Sequence, residues 1–287
     1  MAHPFSIKKR AALLVSGLLL LATTACTTLL NASIPQEGYT LVRNVAYGDQ
    51  PRQTLDIYTP TGHEKPRGVL LFFYGGSWQM GAKEDYRFVG EAFASTGYIT
   101  VIADYRVYPE VYFPQFVEDG ARAVVWLHGH IAQYGGDANR LFVSGHSAGA
   151  HIAAMLALDD RYITRAGGSP DWIRGTLGIA GPYDFLPLTD AKLIALFSKQ
   201  PIAQTQPITF ATHKTAPIFL ATGDADDTVA PKNSYHLAEK LKAQHSLVDL
   251  RTYPDVGHIG IVLALAQGFR NKAPLLEDMV AFMDAAR

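Results

Sequence analysis

Leu141-Phe142-Val143-Ser144-Gly145-His146-Ser147-Ala148-Gly149-Ala150-His151-Ile152-Ala153-Ala154 is the stretch whose reading decides the fold. A short, β-prone apolar run enters Gly145-His146-Ser147-Ala148-Gly149, and an alanine-rich, helix-prone run leaves it. Strand, tight turn and helix in that order lift a serine hydroxyl above the edge of a sheet. Glycines flank the serine because the chain doubles back where a Cβ would clash. The helix start also puts Ser147 at the positive end of a helix dipole, which favours negative charge developing nearby. The plainer alternative, a serine capping a helix after a glycine-rich turn, does not call for a strand behind it. Ser147 is therefore the candidate nucleophile.

Working outward, residues 39–46 and 53–59 alternate apolar and polar side chains as half-buried opening strands do. Apolar runs of the buried-strand kind follow at 69–74, 99–103, 141–144, 177–180, 218–222 and 250–253. Helical spacing fills the intervals at 85–95, 115–134, 148–158 and 234–244, with a last helix over 275–286. Short hydrophobic runs separated by amphipathic helices predict an α/β fold, with a mainly parallel central sheet covered on both faces. One domain over residues 39–287 accommodates the pattern. Residues 186–214 interrupt the rhythm and read as a small cap over the site.

Acyl transfer needs fixed N–H donors for the oxyanion. One is the amide of Ala148, directly after the nucleophile. The others come from the loop after the run 69–74, which reads Tyr74-Gly75-Gly76-Ser77-Trp78. Gly75 and Gly76 are the candidate donors, because adjacent glycines let amides approach a ligand. Trp78 either walls the pocket or packs in the core.

With a nucleophile on a strand-to-helix turn, the acid follows it along the chain and the histidine comes last. His151 lies one helical turn past Ser147, where packing is its natural role. His213 falls too early, and His236 and His245 lie on or just after an amphipathic helix. His258 follows Val256-Gly257 on a loop after the last strand and is the candidate base. The loop Gly223-Asp224-Ala225-Asp226-Asp227-Thr228-Val229 supplies three possible acids. A triad acid holds the imidazole tautomer without taking its proton.

Together these residues resemble the small esterases of the α/β-hydrolase superfamily. The likeness is to carboxylesterases, feruloyl or acetylxylan esterases and arylformamidase-like enzymes related to hormone-sensitive lipase. It runs from Tyr39 to the C-terminus and includes Asp104-Tyr105-Arg106, Asp119, Tyr134-Gly135-Gly136-Asp137 and Gly181-Pro182-Tyr183-Asp184. The G-x-x-D-x-x-V pattern of many such esterases selects Asp226, with Asp227 and Asp224 as runners-up. The usual loop motif begins with His, where this chain has Tyr74; that departure alters the bracing of the oxyanion loop. The resemblance implies that Asp104, Arg106 and Asp119 are scaffold. It implies ester hydrolysis through an acyl-enzyme, without metal or organic cofactor, on a small-molecule ester. An amide-cleaving enzyme (arylformamidase-like or a peptidase) is the rival reading, and a noncatalytic membrane-tethered binding protein a more distant one.

The whole chain sets the remaining bounds. Of 287 residues, 48% are hydrophobic and 18% charged, enough apolar content for a large core, and the formal net charge is −1. No basic surface for nucleic acid or a polyanion is implied. Lys8, Lys9 and Arg10 precede an apolar run over residues 11–22. As a helix that run spans ~18 Å, short of the ~30 Å hydrocarbon core. Residues 1–25 thus read as a secretory signal peptide and residues 26–38 as a tether. Cys26, the only cysteine, follows Thr23, Thr24 and Ala25. The arrangement resembles a bacterial lipoprotein signal, with Thr23 where Leu or Val is usual. It implies export, a lipidated Cys26 and a lipid-anchored place at the cell envelope; ordinary cleavage or an uncleaved anchor are the alternatives. With Cys26 modified or removed, disulfides and thiolate chemistry are excluded.

Overall fold

A computed structural model describes residue 31 and residues 33–286. Eight strands form one sheet: β1 (Tyr39–Ala46), β2 (Thr54–Pro60), β3 (Val69–Phe73), β4 (Ile99–Ala103), β5 (Leu141–His146), β6 (Ile173–Ile179), β7 (Ile218–Gly223) and β8 (Val248–Tyr253). The spatial order is β1-β2-β4-β3-β5-β6-β7-β8. β1–β2 and β2–β4 pair antiparallel, and every later pair is parallel. Every residue of β3, β4, β5 and β7 is buried. Side chains alternate between the faces of a strand, so unbroken burial means that both faces are covered.

The α-helices are α1 (Arg87–Ala94), α2 (Gln115–His130), α3 (Ala148–Leu158), α4 (Arg161–Arg165), α5 (Ala191–Phe197), α6 (Pro207–Phe210), α7 (Lys232–Ala243), α8 (His258–Leu263) and α9 (Leu275–Ala285). α1 packs on β4 and touches α9, whereas α3 lies on β5 and β6 and packs against α2. Several boundaries differ from the sequence reading by a few residues, and three differences are instructive. β6 begins at Ile173 instead of 177, because Arg174, Gly175 and Thr176 hide the start of an apolar run. The segment 115–134 ends in a 3₁₀ turn over Ile131–Tyr134, capped by Gly135 in the left-handed region. His258 is not on a loop but is the first residue of α8, with Gly257 as its N-cap.

Parallel strands deliver their C-terminal ends to one edge of the sheet, where ligands bind in such folds. The loops leaving β3, β5, β6, β7 and β8 all emerge there. These loops and the first residues of α3 and α8 carry every residue singled out for chemistry except Cys26, which lies outside the described residues.

Candidate active site

Ser147 sits between β5 and α3 at φ 55°, ψ −120°, a strained conformation for a residue with a Cβ. The glycines of the motif permit it. A Cβ on Gly145 would lie 2.3 Å from the Gly149 carbonyl, and one on Gly149 would lie 2.0 Å from the carbonyl oxygen of Phe73. The turn is thus wedged against β3 with no room for a side chain on either glycine.

The structure brings together Ser147 on the turn into α3, His258 at the start of α8 and Asp226 on the loop after β7. Ser147 Oγ lies 2.9 Å from His258 Nε2, and His258 Nδ1 lies 2.8 Å from Asp226 Oδ2. A carboxylate only accepts, so Nδ1 carries the proton and Nε2 is left to accept from the serine hydroxyl. The other Asp226 oxygen accepts from the amides of Thr228 at 3.0 Å and Val229 at 2.8 Å. Burial alone pushes this carboxyl up, but the hydrogen bond from His258 and those two amides outweigh it and hold it below the usual carboxylate range. Asp226 therefore stays ionised while it orients the imidazole. The neighbouring acids do other work: Asp224 accepts from the Asp255 amide at 2.7 Å, and Asp227 is exposed beside the Thr228 hydroxyl.

Three amides were named for the oxyanion, and the structure separates them. The Gly75 amide donates to Tyr86 Oη at 3.3 Å, so that donor is already engaged. Among the described residues the amides of Gly76, Ser77 and Ala148 have no partner. Ser77 lines the same cavity as Ser147, at φ 52°. Sequence reading passed over it because a backbone donor leaves no mark on residue type. The run Gly76-Ser77-Trp78, at φ 130°, 52° and 57°, is a left-handed turn seen only in three dimensions.

The loop itself is locked. Tyr74 lies between Tyr105, 4.8 Å away, and Tyr86, 5.7 Å away, with rings 24° from parallel in both pairs. Its hydroxyl donates to Asp104 at 2.7 Å and accepts from Arg52 at 2.7 Å, while Arg52 also donates to the Gly81 carbonyl at 2.6 Å. Tyr105 donates to the Tyr74 carbonyl at 2.8 Å. Buried Lys83 adds a cation 3.6 Å from both Asp56 and Asp104. Arg106 and Asp119 pair at 2.6 Å, with Gln53 donating to the same carboxylate, away from the serine.

Two further histidines are enclosed. His146, which precedes Ser147 and so falls outside the order nucleophile, acid, histidine, donates from Nε2 to the His258 carbonyl at 3.0 Å. It thereby ties β5 to the start of α8. Burial, and then the closeness of His258, lower its pKa to about 3. His151 bonds the Thr205 carbonyl at 2.9 Å, and burial lowers its pKa to about 4.

A cavity of about 300 Å³ opens at Ser147. Its apolar walls include Trp78, Phe185, Leu188, Leu193 and Val229. Trp78 both walls the cavity and packs at 5.0 Å against Phe197. Pro187 to Asp190 and Leu193, from the segment read as a cap, form one side of this cavity.

The chain is 28% identical over 296 residues to isoprenylcysteine alpha-carbonyl methylesterase ICME of Arabidopsis thaliana, an overlap of 93% of this chain and 69% of that protein. It is 26% identical to the kynurenine formamidase of Salmo salar, over 83% of this chain and 81% of that one. The chain spans between 37 and 69% of the lengths of the plant methylesterases it matches. In fold it resembles phosphonate-inhibited esterase B of Lactobacillus rhamnosis, with TM-score 0.80, 20% identity and 96% of each chain covered. The BD-FAE family model matches residues 55–241, well over half the chain, and the chain, with its α/β-hydrolase fold, belongs to that family.

Proposed function

We propose that the chain is a serine hydrolase that cleaves carboxylic esters through an acyl-enzyme. The observation that carries this reading is the relay from Ser147 Oγ to His258 Nε2 at 2.9 Å and from His258 Nδ1 to Asp226 Oδ2 at 2.8 Å. Ser147 Oγ attacks the carbonyl carbon while His258 Nε2 takes its proton. The amides of Gly76, Ser77 and Ala148 hold the oxyanion, and the Gly75 amide braces the loop through Tyr86. The imidazolium protonates the leaving alcohol, and water enters by the same route to release the acid. Asp226 holds the tautomer throughout and stabilises the imidazolium. The methylesterase relative and the apolar cavity favour a neutral ester. The formamidase relative favours a second reading, cleavage of an N-formyl aryl amide by the same relay. Parallel assays of p-nitrophenyl butyrate and an N-formyl anilide separate the two.

Ser147→Ala lowers kcat for p-nitrophenyl butyrate by at least ~10⁴-fold; retained turnover excludes the relay. Asp226→Asn lowers kcat by ~10²–10⁴-fold, whereas exposed Asp227→Asn stays within about twofold of the parent. Equal losses from the two would transfer the role of acid away from Asp226.

Cys26 is proposed as the lipidated residue of an exported, envelope-anchored protein. Metabolic labelling with palmitate, lost on Cys26→Ser, is the measurement; absence of label in the parent removes the anchor.

A further inference from the structure

The apolar wall beside Ser147 has a second, outward face. α5 presents Leu193 to the cavity at Ser147, while the next residue, Ile194, is 49% exposed on the other side. Leu186 at 37% and Ile202 at 45% are exposed around it. Together with Pro187, Leu188 and Phe197 they line an open groove of about 580 Å³. Pro187 and Leu188 also line the cavity at Ser147, so the two spaces meet over one ridge. The floor is continuous as well, because Phe197 packs against Trp78, which walls the inner cavity.

The chemistry of this groove is distinctive. None of its described lining residues is ionisable. A cavity of about 450 Å³ beside β6, by contrast, is lined by Asp160, Asp171, Arg174, His213 and Lys214. Clustered exposed aliphatic side chains on a soluble face mark a binding surface more often than chance scatter does. Here the cluster adjoins a reacting serine, and the inner cavity at about 300 Å³ sits at the small end of ligand sites.

We propose that the groove over Leu186, Ile194 and Ile202 is a binding site for an extended alkyl chain of the ester, which crosses the Pro187–Leu188 ridge from Ser147. The proposal rests on the ester reading above and extends it to substrates with long aliphatic chains. Each methylene that reaches the groove leaves water for an apolar wall, a gain of about fourfold in binding per methylene, equivalent to ~0.8 kcal/mol.

The test uses p-nitrophenyl esters from butyrate to decanoate, kept below their critical micelle concentrations, and acetates of butanol to decanol. For one of the two series kcat/KM rises tenfold or more from six to ten carbons; which series rises identifies the acyl or the alcohol chain as the occupant. Ile194→Asp and Ile202→Asp each lower the ten-carbon to four-carbon ratio at least fivefold, through KM. Leu247→Asp, at an exposed residue just before β8, leaves the ratio unchanged. Binding of 1-decanol, followed by calorimetry, weakens in the first two variants and not in the third. Ratios that are flat in the parent, or equal across the variants, overturn the groove. A gain that appears only above the micelle concentration assigns this face to surface adsorption and also overturns it. If butyrate is not cleaved at all, the ester reading falls, and decanol binding alone decides the groove.

Discussion

The loop after β3 and the segment after β6 stand on either side of the same serine, and they are held in different ways. Residues 74–86 are fixed by polar contacts between buried and half-buried groups: Tyr74 to Asp104 and Arg52, Tyr86 to the Gly75 amide, and Lys83 to its carboxylates. Residues 186–197 are fixed by ring and aliphatic packing of Phe185, Leu193, Leu196 and Phe197, with Ile194 left in solvent. The difference matches what each side would do under the proposed ester reading. Donors for a developing oxyanion lose their effect if they reorganise, so they belong on a rigid, well-braced loop. A wall that selects among apolar chains needs area and shape, and weak non-directional contacts supply both. Disturbing the first wall should therefore lower kcat, and disturbing the second should alter KM and chain selectivity.

Among changes to the two walls, the largest effect is expected at Gly76. A Cβ there would lie 2.2 Å from the Met80 carbonyl oxygen, and the residue holds φ 130°. Gly76→Ala shifts the donors by more than a hydrogen bond tolerates. The expected loss is ~10²–10³-fold in kcat, the range for an oxyanion donor, with KM within about threefold. A loss confined to KM would place the oxyanion elsewhere and break the contrast between the walls.

Tyr74→Phe probes the lock instead of the donors. It leaves the stacked rings in place but removes the partner shared by Asp104 and Arg52. Unfolding free energy falls by ~1–3 kcal/mol, as for a buried polar partner removed from charged neighbours. A drop in kcat of about tenfold accompanies it. Denaturant midpoints and kcat measured on the same preparation test the pair; a stability loss with unchanged kcat means that the lock serves the fold alone.

How far the sequence discloses this arrangement follows from the same distinction. Ser147 and its flanking glycines are legible because a steric need selects residue type: any Cβ at Gly145 or Gly149 would strike backbone. Alternation of buried runs with helical spacing likewise discloses the sheet, since burial on both faces leaves no charged position in β3 or β4 and Thr100 as their one polar residue. Ser77 was passed over because an N–H donor belongs to every residue but proline. Nor is the Tyr86 hydroxyl on the Gly75 amide readable, since it joins residues 11 apart through a loop without a repeat. Segment 186–214 resisted for a related reason: α5 is apolar on two sides, so no single period marks its buried face.

The smallest expected effect separates the two walls by pH. His151 lies on the apolar side, 5.1 Å from Trp78 and 6.0 Å from Phe197, and is fully buried. Burial lowers its pKa to about 4, against ~6.5 for a free imidazole. Between those values the unfolded chain binds a proton that the native state refuses, so stability falls as pH drops from 6.5 toward 4. At 1.36 kcal/mol per pH unit, this one residue contributes a loss of up to ~2 kcal/mol by pH 5. His146, with a pKa of about 3, acts in the same direction on the polar side and remains after His151 is replaced. His151→Phe keeps an aromatic ring among its neighbours and gives up the bond to Thr205, so it costs ~1–3 kcal/mol at pH 7. The difference in unfolding free energy between pH 7 and pH 5 then shrinks by as much as ~2 kcal/mol but does not vanish, while kcat stays within about threefold. Urea titrations at the two pH values measure it. An unchanged difference would mean that His151 is already charged in the folded protein, and the wall around it less apolar than its rings make it.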